Sequence, residues 1–235
     1  MRENKNPAIK INDNHEPLVD IKKYCPNIII DIGKGRLKVE KTAYLRKTAA
    51  KMLGRAQKNL PEGWNFIVND AWRPAYIQAK IYFNFIKRFS KKYPRWPRKR
   101  VLTEVDKYVA FWKGEIVSGH MSGGAIDLRL VDRRGRKIPM KSKKLNYQQN
   151  ALSAQKFLPA YIRRNREILF STLRRAGLSN YPKEYWHWSY GDYQWAKRNN
   201  KSIAIYGTAP DYLNLYVFKS CPCGSGKKFK KCCGK

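Results

Sequence analysis

Acidic residues are scarce in this 235-residue chain: 17 Asp and Glu stand against 50 Lys and Arg, for a formal net charge of +33. Such an excess attracts polyanions, whether nucleic acid, anionic lipid or acidic cell-wall polymer, but it carries no chemistry by itself. Histidine is scarcer still, with three in all, so every pairing of His with acid can be enumerated. Long apolar runs are missing: nothing approaches the roughly 18 residues of a membrane-spanning helix, and the polar start has no signal-peptide core. The most apolar early stretch, Ile28 to Ile32, is strand-sized and interrupted by Asp31. A soluble, cytoplasmic protein is the expectation. Dispersed cysteines are missing too. Four of the five Cys lie in the last 15 residues, which argues against a disulfide framework and for a metal clip in a reducing compartment. What is present suffices to fold. A hydrophobic content of 43% with 13% aromatics excludes wholesale disorder, and the length suits one domain with a small appendage.

The polar stretch 1–24 reads as an arm, shortened to 1–15 if Glu16–Ile21 opens an edge strand. Ile28–Ile32 reads as a strand, with Gly33 and Gly35 marking the turn after it. Leu45, Ala49, Met52, Leu53 and Ala56 follow helical spacing within a predicted helix over 43–60, stopped by Pro61-Glu62-Gly63. Trp64–Val68 reads as a second strand that ends at Asp70-Ala71-Trp72-Arg73-Pro74. A helix from Pro74 to Phe89 carries an apolar stripe that includes Ile77, Ile81, Phe85 and Ile86. Lys87–Arg100 holds eight basic residues in fourteen and reads as an exposed basic loop. Glu115-Ile116-Val117 leads into a Gly-rich turn, Ala125–Val131 alternates as a strand, and Arg133–Lys137 is a hairpin tip. Tyr161–Ala176 is an amphipathic helix with Ile162, Ile168, Leu169 and Leu173 inward and Gly177 at its C-terminus. Tyr185–Tyr190 is a last aromatic strand. The mixture, without βαβ regularity, predicts an α+β domain followed by a short tail.

Two of the three His have suggestive neighbours. One lies in Ser118-Gly119-His120-Met121-Ser122-Gly123-Gly124-Ala125-Ile126-Asp127, the other in Glu184-Tyr185-Trp186-His187-Trp188. A hydrolytic zinc site needs three protein ligands, an open fourth position, and a separate carboxylate for proton transfer. His120, Asp127 and His187 can supply the ligands and Glu184 the base. Taken singly, each fragment also fits a blander reading, with His120 hydrogen-bonding in a loop and Asp127 forming a turn.

The string Ser118-x-His120-x-x-Gly123-x-Ala125-x-Asp127 resembles the SxHxxGxAxD signature of the D-alanyl-D-alanine dipeptidase and D,D-carboxypeptidase family of zinc peptidases. Glu184-x-x-His187-Trp188 resembles its ExxHW signature, and Asp70-Ala71-Trp72-Arg73-Pro74 with Gln78 resembles the DAYRPxxxQ segment of the dipeptidase branch. Leu18–Ile21, Pro26–Ile28 and the stretch from Asn165 to Asp192 extend the likeness over residues 16–193. The resemblance implies a small antiparallel sheet flanked by helices, a fold shared with the Hedgehog N-terminal domain. It implies His120, Asp127 and His187 as ligands of a catalytic zinc and Glu184 as catalytic base. It further implies Arg73 as the cation that stabilises the oxyanion, and Ser118 in the pocket near the substrate's amino end. The zinc-dependent hydrolysis of a D-Ala-D-Ala type dipeptide or related peptidoglycan peptide follows. Two segments depart from the pattern, and the first is Gly33-Lys34-Gly35-Arg36-Leu37, where the family's Tyr/Asn-rich pocket segment is unrecognisable. In the second, where the dipeptidase branch carries an acid that holds the substrate's ammonium, this chain has Pro139-Met140-Lys141-Ser142-Lys143-Lys144-Leu145-Asn146. A cationic rim repels an ammonium, which points to an N-blocked or anionic muropeptide end.

Cys221-x-Cys223, eight residues, then Cys232-Cys233 places four thiols where the Gly224-Ser225-Gly226 turn lets a short loop double back, enough for a structural zinc site. The stretch resembles the SEC-C motif, which implies a zinc-held docking tail for proteins or ribosomes. The predicted organisation is therefore an arm over 1–15, a zinc D,D-dipeptidase-like domain over 16–215 and a tail over 219–235. Cys25 is left over as a small buried hydrophobe. The six lysines of the tail leave +27 on the rest, so the body is basic as well. Aromatics among the cations of Lys87–Arg100 suggest a single-strand nucleic-acid groove. The alternative reading is thus a nucleic-acid- or ribosome-associated binding protein on a peptidase-like scaffold.

Overall fold

The computed structural model describes residues 9–32, 43–114, 118–210 and 219–235. Gly33, Gly35, Glu115–Val117 and the first eight residues of the arm lie outside them. The strands are β1 (Lys10–Ile11), β2 (Leu18–Asp20), β3 (Ile29–Ile30), β4 (Tyr44–Arg46), β5 (Asn65–Asp70), β6 (Ala125–Val131), β7 (Ser179–Tyr181), β8 (Glu184–Ser189) and β9 (Ile203–Ala204). The helices are α1 (Lys47–Lys58), α2 (Ala75–Lys92), α3 (Arg98–Val105), α4 (Gly119–Ser122), α5 (Tyr147–Ala151), α6 (Ala160–Arg175) and α7 (Tyr193–Arg198). Among the described residues, no helix is long and apolar enough to cross a membrane.

The fold is α+β. A five-stranded sheet in the order β3-β5-β6-β8-β7 forms its centre. Its pairings are antiparallel except at the edge, where β3 runs parallel to β5. Long β6 is the spine: Ile126, Leu128 and Leu130 are fully buried against α1 and α6, and the alternation read from the sequence puts Asp127 on the other face. Helix α6 ends as its Gly177 foretells. Gly177, at φ 99°, and Leu178 donate back to the carbonyls of Arg174 and Leu173, closing a Schellman motif.

Several expectations shift. The helix predicted from residue 43 begins at Lys47, because Tyr44–Arg46 pairs with β2 instead; Leu45 satisfies either period, and tertiary pairing decides. The strand over Ile28–Ile32 shrinks to β3. Residues 9–15 of the arm lie on the body: β1 pairs with β9, and Asp13 forms an ion pair with fully buried Arg46. Arg46 also donates to the carbonyls of Ser122 and Glu16, tying the arm to the loop that carries His120. The exposed basic loop over Lys87–Arg100 is largely helical. α2 continues to Lys92 because Phe85, Phe89 and Tyr93 extend its aromatic stripe onto Tyr108, and Pro94 and Pro97 confine the break before α3.

Candidate metal centre

The site lies where β5, β6 and β8 run side by side. Asp70 of β5 pairs with Asp127 of β6, and Asp127 pairs with His187 of β8. Two residues separated by sixty positions are thereby fixed across one strand boundary. His120 arrives by another route. It sits in α4, a single turn that ends at Gly123, whose φ of 72° is left-handed and suits glycine. Gly119, one residue before it, faces the Asp192 carboxylate so closely that a side chain there would collide with it.

The three side chains converge. His187 Nδ1 lies 3.0 Å and His120 Nε2 3.3 Å from Asp127 Oδ1, and one donor atom of each lies within 4.8 Å of the others. His120 Nδ1 is 2.8 Å from the Ala71 carbonyl oxygen. Its proton therefore belongs on Nδ1, which leaves the Nε2 lone pair facing the cluster, as a metal-binding imidazole requires. Burial by itself would lower the His120 pKa, but the Asp127 charge outweighs it and the net shift is upward. Asp127 is held far below the usual carboxylate range: burial opposes this, and both imidazoles overcome it.

Glu184 reaches the same pocket through a break in the ladder. Between β7 and β8 the register jumps from Asn180↔Trp188 to Tyr181↔Glu184. This leaves 185–187 without partners on β7, a bulge of the kind that re-aims side chains beside active sites. The Asn180 amide stabilises the bulge by donating to the carbonyls of Glu184 and His187, at 3.1 and 3.0 Å. Burial and the Asp127 charge raise the Glu184 pKa, while His187, His120 and Arg73 pull it down, and the upward influences win.

Arg73 is buried at the start of α2. It pairs with Asp70, donates to Gln78 Oε1 at 2.6 Å, and its backbone N–H donates to the His120 carbonyl at 2.9 Å. Its charge acts on both His120 and Glu184. Ser118 is half-buried at the start of α4; its carbonyl accepts from Met121, and its hydroxyl makes no capping bond. Three contributors escaped the sequence reading: Asp70, the Ala71 carbonyl and Asn180. Asp70 was visible as an acid three residues before Arg73; backbone carbonyls and bulges leave no such trace.

The Cys cluster is equally tight. One sulfur from each of Cys221, Cys223, Cys232 and Cys233 lies within 4.8 Å of the others. A bridge between Ser220 and Lys228 closes the loop, and Gly224 and Gly226 turn it at φ 85° and 72°. The Ser225 hydroxyl lowers the Cys223 thiol to about 6, while burial pushes those of Cys221 and Cys233 up.

A buried carboxylate between two imidazoles, with a second carboxylate and a guanidinium in the same pocket, has the layout of a metal-dependent hydrolase. Comparison with known proteins narrows the class. The family model described as D-ala-D-ala dipeptidase matches residues 33–205. A D-alanyl-D-alanine dipeptidase of Synechocystis is 30% identical over 242 residues, covering 85% of this chain and 94% of the relative. The chain belongs to the D-alanyl-D-alanine dipeptidase family and is a metallopeptidase. Residues 219–235 match the SEC-C motif. Two solved structures of the vancomycin-resistance D,D-peptidase VanY also align. The one with Zn(II) covers 74% of this chain and 87% of its own, at 14% identity and a TM-score of 0.44. The one with D-alanine-D-alanine covers 75% and 86%, at 16% identity and a TM-score of 0.45.

Proposed function

We propose that the chain hydrolyses a D-Ala-D-Ala type dipeptide or a related peptidoglycan-derived peptide, with zinc held by His120, Asp127 and His187. The observation that carries this reading is the convergence of both imidazole nitrogens on one Asp127 oxygen, with Glu184 and Arg73 in electrostatic reach. Two neutral imidazoles and a carboxylate suit zinc, and three protein donors leave a fourth position open. Zinc bound there supplies Lewis acidity, polarising the scissile carbonyl and acidifying water. The side chains supply the rest. Glu184 takes a proton from the attacking water and passes it to the leaving amine, for which a raised pKa is an advantage. Arg73, held by Asp70 and Gln78, presents permanent charge to the carbonyl oxygen as it becomes an oxyanion. Ser118, at the mouth of α4, faces the substrate's amino side.

Substrate preference follows from residues 139–146. Lys141 lies 5.5 Å over the Tyr147 ring and 5.6 Å over that of Trp186, beside His187 in the chain. Where the dipeptidase branch carries an acid, this segment carries Lys141, Lys143 and Lys144, and cations there disfavour a free ammonium and favour an acylated or anionic peptide end. The test compares free D-Ala-D-Ala with N-acylated D-Ala-D-Ala on zinc-loaded protein. Faster cleavage of the acylated peptide is expected; faster cleavage of the free dipeptide overturns the preference, and cleavage of neither overturns the hydrolase reading.

The tail is read as a second, structural zinc site of four thiolates, set off at 219–235 from a catalytic body over 16–215 and an arm over 1–15. Free thiols at this density fit a reducing, cytoplasmic setting. A second reading concerns charge. Trp96 is stacked on Tyr93 at 3.9 Å and covered by the Arg100 guanidinium at 4.3 Å. Both faces are thus taken, which speaks against base stacking. The cations of α2 and α3 would instead meet a polyanion through its charged backbone, with binding that weakens steeply as salt rises.

A further inference from the structure

The SEC-C stretch does not stand clear of the body. Phe229 is buried, its ring edge-on to Tyr76 of α2 at 5.2 Å. Trp112 Nε1 donates to the Cys233 carbonyl at 3.1 Å, and its ring packs on Tyr82 and Phe83 of α2 at 5.3 and 4.9 Å. Cys221 and Phe229 share one apolar cluster with Ala79, Val101, Val105 and Met121, separate from the core beneath the sheet. The tail therefore completes a second small core, whose other walls are α2, α3 and the segment after α3.

That core adjoins the catalytic pocket through the first turn of α2 and through α4. Gln78, buried in the first turn of α2, accepts from Arg73 through Oε1 at 2.6 Å and donates through Nε2 to the Ala110 carbonyl at 2.7 Å. Ala110 lies two residues before Trp112, which holds the tail. Met121, in the same cluster, follows His120 directly. A loop of some fifteen residues has too little apolar surface to fold unaided, so its shape depends on the thiolate-bound metal.

We propose that the C-terminal clip is a metal-dependent clasp on its own catalytic body: it fixes the start of α2 and the segment 105–112, and through Gln78 it positions Arg73. Trp112, Tyr76 and Gln78 are positioning residues; none touches the reacting atoms. The clasp rests on the reading of the tail as a metal site. Its effect on turnover rests also on the role given to Arg73.

Amide hydrogen exchange on the full-length, metal-loaded protein tests the clasp without reference to hydrolysis. Replacing Cys232→Ser and Cys233→Ser together should remove one metal ion per chain. It should also speed exchange at least about tenfold over 75–82 and 105–112 while β6 and β8 stay protected. Trp112→Phe keeps an aromatic ring, though a smaller one without the N–H donor, and all four thiols, so the metal should stay. Exchange over the same segments should rise about fivefold, the effect of one lost hydrogen bond. In both variants kcat should fall more than KM rises, because Arg73 acts on the transition state. If either variant speeds exchange only within 219–235, the tail is tethered and does not clasp, whatever the protein hydrolyses.

Discussion

The two clusters of candidate metal ligands are built in opposite ways. The Cys clip draws its donors from 13 consecutive positions, two pairs brought together by a glycine-turned loop. The His120–Asp127–His187 centre draws on a single-turn helix and two strands, and needs β6 and β8 in register before Asp127 and His187 meet. Local donors can be organised by the metal itself, whereas scattered donors must be organised by the fold. The difference also divides labour. Four thiolates close a coordination sphere, which suits a structural site. Three donors with a half-buried Glu and a buried Arg beside them leave room for a substrate.

Mutations should separate the two. His187→Ala should have the largest effect, with one metal ion lost, turnover abolished, and the tail's ion retained when metal content is assayed. Should the tail lose its ion as well, the two centres are not independent. Arg73→Lys keeps a charge but not the fork of donors. It should lower kcat about 10²- to 10³-fold with metal content unchanged, and steady-state kinetics at matched loading will show it.

Arg46→Ala probes the scaffold rather than either metal. This fully buried guanidinium serves Asp13 and the carbonyls of Ser122 and Glu16. Its loss should cost about 3 kcal/mol in denaturant unfolding, with the His120 side of the centre loosening and the clip intact. The smallest effect expected is one of pH. Burial alone would raise the Glu16 pKa, but hydrogen bonds from Thr48 and Tyr206 and the Arg46 charge hold it below its ordinary 4.5. A carboxylate depressed in the folded state stabilises fully above the unfolded value and loses that contribution as pH falls through the folded one. Unfolding midpoints should therefore hold from neutral pH down to about 4.5 and drop below it, and Glu16→Gln should flatten that drop.

The centre was more legible than the scaffold around it. The resemblance to the two family signatures singles out His120, Asp127, Glu184 and His187, and a period of two marks β6. Leu45 misled because an apolar residue at a strand–helix junction fits either period. The cations of Lys87–Arg100 masked an aromatic stripe that continues the helix, since Phe85, Phe89 and Tyr93 are four residues apart whatever lies between them. Arg46 and Arg166 were invisible because composition places arginine at the surface. Only the fold shows Arg166 buried on Tyr185, with the carbonyls of Met140, Asn150 and Leu152 as its acceptors. The seating of the tail on α2 depends on contacts more than a hundred residues apart, for which Phe229 and Trp112 carry no local signal.

Turnover of a D,D-peptide by wild type and Glu184→Gln, each with its metal content measured in the same sample, tests the account most directly. Equal metal content with a loss of about 10²- to 10⁴-fold in kcat is predicted for the variant, as befits a proton-transferring group that is no ligand. Wild-type turnover by a fully loaded Glu184→Gln protein would contradict it.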